Sequence, residues 1–293
     1  MTRGLLYPKP KERYERFTLN PYSPLYDGLV LFCGPDASTI GSVIVPDAGP
    51  LCTIGVATNV PGSLVQYDHY LRRYTIDTTS GNASTIVRFP FNSLFATGGT
   101  RAFMLATWAQ CVAEPGDYSH LVGRWQDYHI WARHKGSEYV VSCGRWISDT
   151  VYRTYSDVVM ASNIRYHICS AATHGQQYPD IYIDGHYVTI GTIAFSHPYA
   201  ETYGPSCANY TVGPDASYRF PGHVADYMIW IDTAPVWAIP WLADPDNIDL
   251  RVPNGPPLIL PVRTYWPSVV AAPPRYLKRR SLGLRAGSRE AVI

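Results

Sequence analysis

Residues 178–191 read YPDIYIDGHYVTIG. Runs of alternating apolar and polar residues flank the pair Asp184-Gly185. An Asp-Gly pair tolerates the positive φ angles that a two-residue turn demands, so the stretch predicts a tight β-hairpin. Side chains alternate between the faces of a strand. Ile181 and Ile183 are therefore expected on one face, and Asp180, Tyr182 and Asp184 on the other. Tyrosines ring this hairpin, and nothing in it suggests a reaction.

The same texture extends in both directions. Short runs rich in Val, Ile, Thr, Tyr and Trp recur between turn signals: RRYTID (72–77), STIVRFP (84–90), RAFMLATWAQ (101–110), SHLVGRW (119–125), YHIWARH (128–134), EYVVSC (138–143), RYHICSAA (165–172) and HVADYMIWI (223–231). This spacing predicts an all-β fold, an antiparallel two-sheet jelly-roll sandwich. Each strand is expected to bury one face and expose the other. The stretch with helical character is TAPVWAIPWLADP (233–245), which Pro240 limits to a turn or two because it lacks an amide donor.

Composition agrees with strands and turns. Only 16% of the 293 residues are charged, while tyrosine reaches 23 and proline 25. A net charge of +1 provides no global field to draw in nucleic acid or membrane. Cys33, Cys52, Cys111, Cys143, Cys169 and Cys207 form no CxxC pair and mostly sit in apolar runs, so they read as buried free thiols. There is no secretory h-region and no apolar run of membrane-spanning length. The chain reads as a soluble product of a reducing cytoplasm.

Three regions are expected. Residues 1–24 mix charge with proline and read as an extended arm, residues 25–245 form the sandwich, and residues 246–293 form a second, proline-rich and basic arm. Prolines suppress regular strand pairing. Such arms cannot bury enough apolar surface alone and need a partner to order them. Tyr265, Trp266 and Tyr276 are the expected anchors, and Lys278, Arg279 and Arg280 would meet acidic surface or phosphate. No stacking motif or groove-reading helix accompanies the basic cluster, so specific nucleic-acid recognition is not expected.

Several segments together resemble the laminin-G-like, concanavalin A-like sandwich family. GLVLFCGPDAS resembles its first strand and following turn. RAFMLATWAQ, with Phe103 and Trp108, resembles its central strand, and SHLVGRWQDYHIWAR the next hairpin. RYHICSAATHGQQYPDIYIDGHYV resembles the strand–loop–strand ending in Tyr-x-Asp-Gly, and FPGHVADYMIWIDTA the closing strand. The resemblance covers roughly 26–245. Where the family has a small helix with an acidic residue, this chain reads TAPVWAIPWLADP and runs into a proline-rich, arginine-containing tail. That variant resembles forms found in bacteriophage and prophage structural proteins.

Retaining glycoside hydrolysis needs two carboxyl groups about 5–5.5 Å apart. Glucanases of the concanavalin A-like class place them on one strand as Glu-x-Asp-x-x-Glu, and no such segment exists here. Asp180 and Asp184 share a strand face, but the turn requires Asp184, and Asp180 reads as a solvated edge residue. His120, His129, His134, His167, His174, His186 and His223 lack HxH or HExxH spacing and read as scattered rather than metal-binding. A structural Ca²⁺ is common among relatives of this fold, and Asp36, Asp47 and Asp215 lie in turn contexts that suit its oxygen ligands. No other cofactor is implied. Aromatic faces stack on sugar rings, and Trp125, Tyr128, Trp131, Tyr139 and Trp146 fall in two consecutive hairpins. If alternation puts Trp125 and Trp131 on one face, they form a platform; otherwise they are core.

The leading reading is a non-enzymatic structural protein of a phage particle. It would be a capsid-decorating or other surface subunit, homo-oligomeric and docked to other virion subunits by its arms. A glycan-binding, lectin-like module for host attachment is the alternative, and a glycoside hydrolase ranks third.

Overall fold

A computed structural model describes residues 17–19, 23–34, 65–68, 71, 73–77, 87–89, 91–112, 118–135, 138–197, 204, 206–207, 211–212, 216–217, 220–244 and 251–253. The chain divides into the units Met1–Pro256 and Pro257–Ile293, and every described residue belongs to the first. The anchor and basic residues of the C-terminal arm, Tyr265 to Arg280, lie outside the described residues. So do Asp36, Asp47 and Asp215.

The strands in chain order are β1 (Phe17–Leu19), β2 (Leu29–Cys33), β3 (Val65–Asp68), β4 (Arg73–Asp77), β5 (Val87–Arg88) and β6 (Phe103–Cys111). The central hairpins are β7 (Tyr118–Arg124), β8 (Tyr128–Lys135), β9 (Glu138–Ile147) and β10 (Thr150–Val159). Then come β11 (Arg165–Ala172), β12 (Asp180–Ile183), β13 (His186–Tyr187), β14 (Thr189–Ser196), β15 (Ser206–Cys207), β16 (Thr211–Val212), β17 (Ala216–Ser217), β18 (Gly222–Ile231) and β19 (Arg251–Pro253). The α-helix, α1, spans Ile239–Leu242 and follows a 3₁₀ turn at Val236–Ala238. Pro240 sits in its first turn, where a missing amide donor costs nothing. No helix among the described residues is long and apolar enough to cross a membrane.

Two antiparallel sheets form the β-sandwich. One runs β14-β10-β9-β8-β7-β15-β5, the other β13-β12-β11-β6-β18-β4-β3, with β2 also paired to β18. The second half of β18 pairs with β2 and its first half with β4, while β6 lines its other edge. The inner faces meet in a core that includes Phe103, Leu105, Ile130, Val141, Ile168, Ile181, Ile183, Val224 and Ile229. Cys33, Cys111, Cys143 and Cys169 are buried free thiols. Burial pushes the Cys143 thiol up to about 12, so it stays protonated.

The hairpin at 178–191 forms as its residues dictate. Asp184 and Gly185 both adopt positive φ, at 49° and 81°. Ile181 and Ile183 enter the core, and Tyr182 faces the other side, packed beside a second apolar layer. The Asp184 carboxylate accepts a hydrogen bond from the His167 amide at 2.8 Å, tying the turn to β11.

That second layer corrects the expectation that each strand exposes one face. Strands β2, β6 and β18 are buried nearly throughout. The outward side chains of the sheet, including Phe32, Met104, Met228 and Trp230, are covered by Leu25, Ala238, Ile239 and Leu242. The covering residues lie outside these strands, in the turns just before β2 and just after β18, so alternation within a strand could not announce them. At the chain ends, β1 pairs antiparallel with β19, so the inner ends of the two arms meet each other.

Candidate functional site

The aromatic residues singled out in the sequence separate by strand parity. In β8, Tyr128 and Ile130 point into the core, and His129 and Trp131 point to the outer face of the sheet. Tyr128 stacks on Phe103 with centroids 5.1 Å apart and donates its hydroxyl to the Phe95 carbonyl at 2.9 Å. Tyr139 also packs against the core. These two tyrosines cannot share a surface with the tryptophans.

Trp125, Trp131 and Trp146 do come together. Trp125 stacks on Trp131 at 5.5 Å and packs tilted against Trp146 at 5.9 Å. The sequence missed the rest of this layer. His129 stacks on Trp131 at 3.9 Å, and His197 meets Trp146 edge-on at 5.8 Å. The Arg153 guanidinium lies 4.7 Å from the Trp131 ring and 4.8 Å from the Phe195 ring, a cation between two aromatic faces. The signal that could have found it is the run Ser142-Cys143-Gly144 on β9. Its outward residues, Ser142 and Gly144, are small, so side chains from β8 and β10 meet above β9. A Cβ at Gly144 would lie 2.6 Å from the His129 ring.

The turn carrying Trp125 is held from below. Asp127 pairs with Arg124 at 2.5 Å, both side chains fully buried. The same carboxylate accepts from the Thr97 amide at 2.9 Å and from the Thr97 hydroxyl. The Asp127 carbonyl accepts from the Trp146 amide at 2.8 Å, which fixes Trp146 relative to Trp125. Burial pushes the Asp127 carboxyl upward, against the opposing pull of Arg124 and Thr97.

The layer is aromatic and cationic, and it is closed. Trp125, Trp131 and Trp146 are 7%, 4% and 1% exposed, so they do not form the open sugar platform that the sequence suggested. His129 is fully buried, and among the described residues neither its ring nitrogens nor the Ser142 hydroxyl has a hydrogen-bond partner. Burial, reinforced by Arg153, His120 and His197, drives the His129 pKa well below 6.5 and keeps the ring neutral.

The other named residues are dispersed. Asp180 and Asp184 lie at opposite ends of β12, and Asp184 is engaged by the His167 amide. Among the described residues, no three His, Cys, Asp or Glu side chains converge to hold a metal ion. Exposed aromatic surface occurs elsewhere: Trp237, on the 3₁₀ turn, is exposed and packs edge-on against Trp241 at 6.0 Å.

No protein-family model matches the chain, and no curated protein does. Solved structures share its fold. Domain 4 of AbnA, a GH43 extracellular arabinanase from Geobacillus stearothermophilus solved with arabinotriose, is similar at a TM-score of 0.50 and 12% identity, over 74% of this chain and 98% of that one. A Trypanosoma rangeli sialidase bound to 2,3-difluorosialic acid gives 0.47 and 12%, over 80% of this chain but only 37% of the sialidase. A heptameric SAP-like pentraxin from Limulus polyphemus gives 0.37 and 11%, over 51% of this chain and 73% of that one. At such identities the likeness to the arabinanase domain is one of fold, a β-sandwich.

Proposed function

We propose that the chain is a non-catalytic structural subunit of a particle of the virion type, docked to its neighbours through its terminal arms. The pairing of β1 with β19 carries this reading. Because the pairing is antiparallel and sets Phe17 opposite Pro253, the chain enters the ribbon at Phe17 and leaves it at Pro253 at the same end. A single neighbouring subunit can therefore engage both arms. Proline-rich arms lose less chain entropy on docking than flexible ones. The closed aromatic layer supports the same reading, because its tryptophans serve packing. Mass spectrometry of purified particles tests the proposal. Particles made with a chain ending at Pro253 are expected to lack it, while those made with the full-length chain carry it. Equal occupancy overturns the docking role.

A second reading is a glycan-binding module, favoured by the exposed Trp237 beside Trp241. Two perpendicular indoles on a proline-bounded turn offer a rigid stacking surface. The arabinanase domain of the same fold was solved with arabinotriose. Calorimetric titration with arabino-oligosaccharides separates the readings. Binding abolished by Trp237→Ala favours the glycan, and no heat with the folded full-length chain removes this arabinan version of it.

A further inference from the structure

We propose that β14 is a dimerisation edge, at which a second copy of this chain adds its own β14 antiparallel and joins two seven-stranded sheets into one. The inference is independent of the particle reading. Strand β14 closes one end of its sheet, with β10 as its partner on one side and no partner among the described residues on the other. It is open to solvent: Ile190 and Ile193 are 55% and 47% exposed, and Thr192 and Ala194 are exposed between and beside them. Tyr187, just upstream on β13, is 58% exposed.

Edge strands in monomeric proteins are usually blunted by lysine, proline, a short length or a covering loop. Thr189–Ser196 has no lysine, no proline and, among the described residues, no strand on its free side: TIGTIAFS is uncharged and runs for eight residues, with one register irregularity beside Ile190 in its pairing with β10. Its β-branched residues, Thr189, Ile190, Thr192 and Ile193, suit the pleated conformation. An unpaired row of backbone amides and carbonyls is complemented by another strand. Two copies of an antiparallel edge satisfy each other under a two-fold axis, the commonest symmetry of soluble homo-oligomers. Charge also favours a second copy. The strand is neutral and the whole chain carries +1, so two copies approach without repulsion and a charged partner finds nothing to pair with. Ile190 and Ile193 would add apolar burial to the backbone pairing.

Light scattering of the full-length chain after size exclusion tests the proposal, with circular dichroism melting to establish that each variant is folded. The wild-type chain is expected at twice the monomer mass. Ile193→Lys, which puts a solvated charge on the edge, is expected at the monomer mass, and Ile190→Lys serves the same purpose if the first variant fails to fold. Ile164→Lys changes an equally exposed apolar residue outside β14 and is expected to remain dimeric. A monomeric wild-type chain, a dimeric folded edge variant, or a monomeric Ile164→Lys would each overturn the assignment.

Discussion

Replacing His129 with phenylalanine separates burial from titration. The His129 ring is fully buried against Trp131, with neither nitrogen hydrogen-bonded among the described residues. Its folded pKa lies well below 6.5, mainly because burial penalises the charged form. The unfolded chain takes up a proton near the ordinary value, so the folded state binds fewer protons below pH 6.5. Stability is therefore fully present above that pH and falls as pH drops through it. Between about pH 7.5 and about pH 5.5, the linkage relation gives a loss of at most about 1 kcal/mol from this residue. His129→Phe keeps the stacking and removes the titration. Its baseline stability combines relief of two unpaired nitrogens with crowding over Gly144, so the decisive quantity is a difference of differences. Denaturant unfolding of both proteins at the two pH values provides it, because other titrating groups cancel. The variant is expected to lose up to about 1 kcal/mol less than the wild-type chain on acidification. Equal losses would mean that the folded protein protonates His129, and the closed layer would be refuted.

Two further substitutions probe the frame. Gly185→Val should destabilise the domain by more than about 1 kcal/mol, because φ is 81° there and a Cβ would lie 3.2 Å from the Pro240 Cα; an unchanged melting temperature refutes this. Asp127→Ala removes the carboxylate that faces Arg124 and the Thr97 amide and hydroxyl in a fully buried setting, so a loss of about 3–5 kcal/mol in chemical denaturation is expected. A loss below about 1 kcal/mol would show that water reaches the pair.

Legibility followed the range of the interactions. Asp184-Gly185 and the alternating isoleucines beside it were readable because a tight turn and strand parity are local properties. Pro240 was readable as a feature of the short helix for the same reason, although it sits in the first turn and does not end it. Parity also contained the answer for Trp131 against Tyr128, three residues apart and on opposite faces. The closure of the tryptophan layer was not readable, because Arg153 reaches Trp131 from another strand of the sheet, with Phe195 against its guanidinium. Nor was the second apolar layer, since Leu25 and Ile239 lie in turns outside the strands they cover, where alternation gives no signal. The partner of Asp127 was half visible: Arg124 lies three residues away, but Thr97 lies thirty.

The ribbon of β1 and β19 also sets how the molecule bears load. If two neighbours pull the arms apart, tension arrives at the Phe17–Pro253 pair first, then at Thr18–Val252, then at Leu19–Arg251. Bonds loaded in this zipper geometry break in sequence rather than together, so the ribbon opens at low force and can close again. Only then does tension reach β2, which is paired along β18 inside the eight-stranded sheet. Under the particle reading, the ribbon would be a mechanical fuse, giving way reversibly before the sandwich is strained.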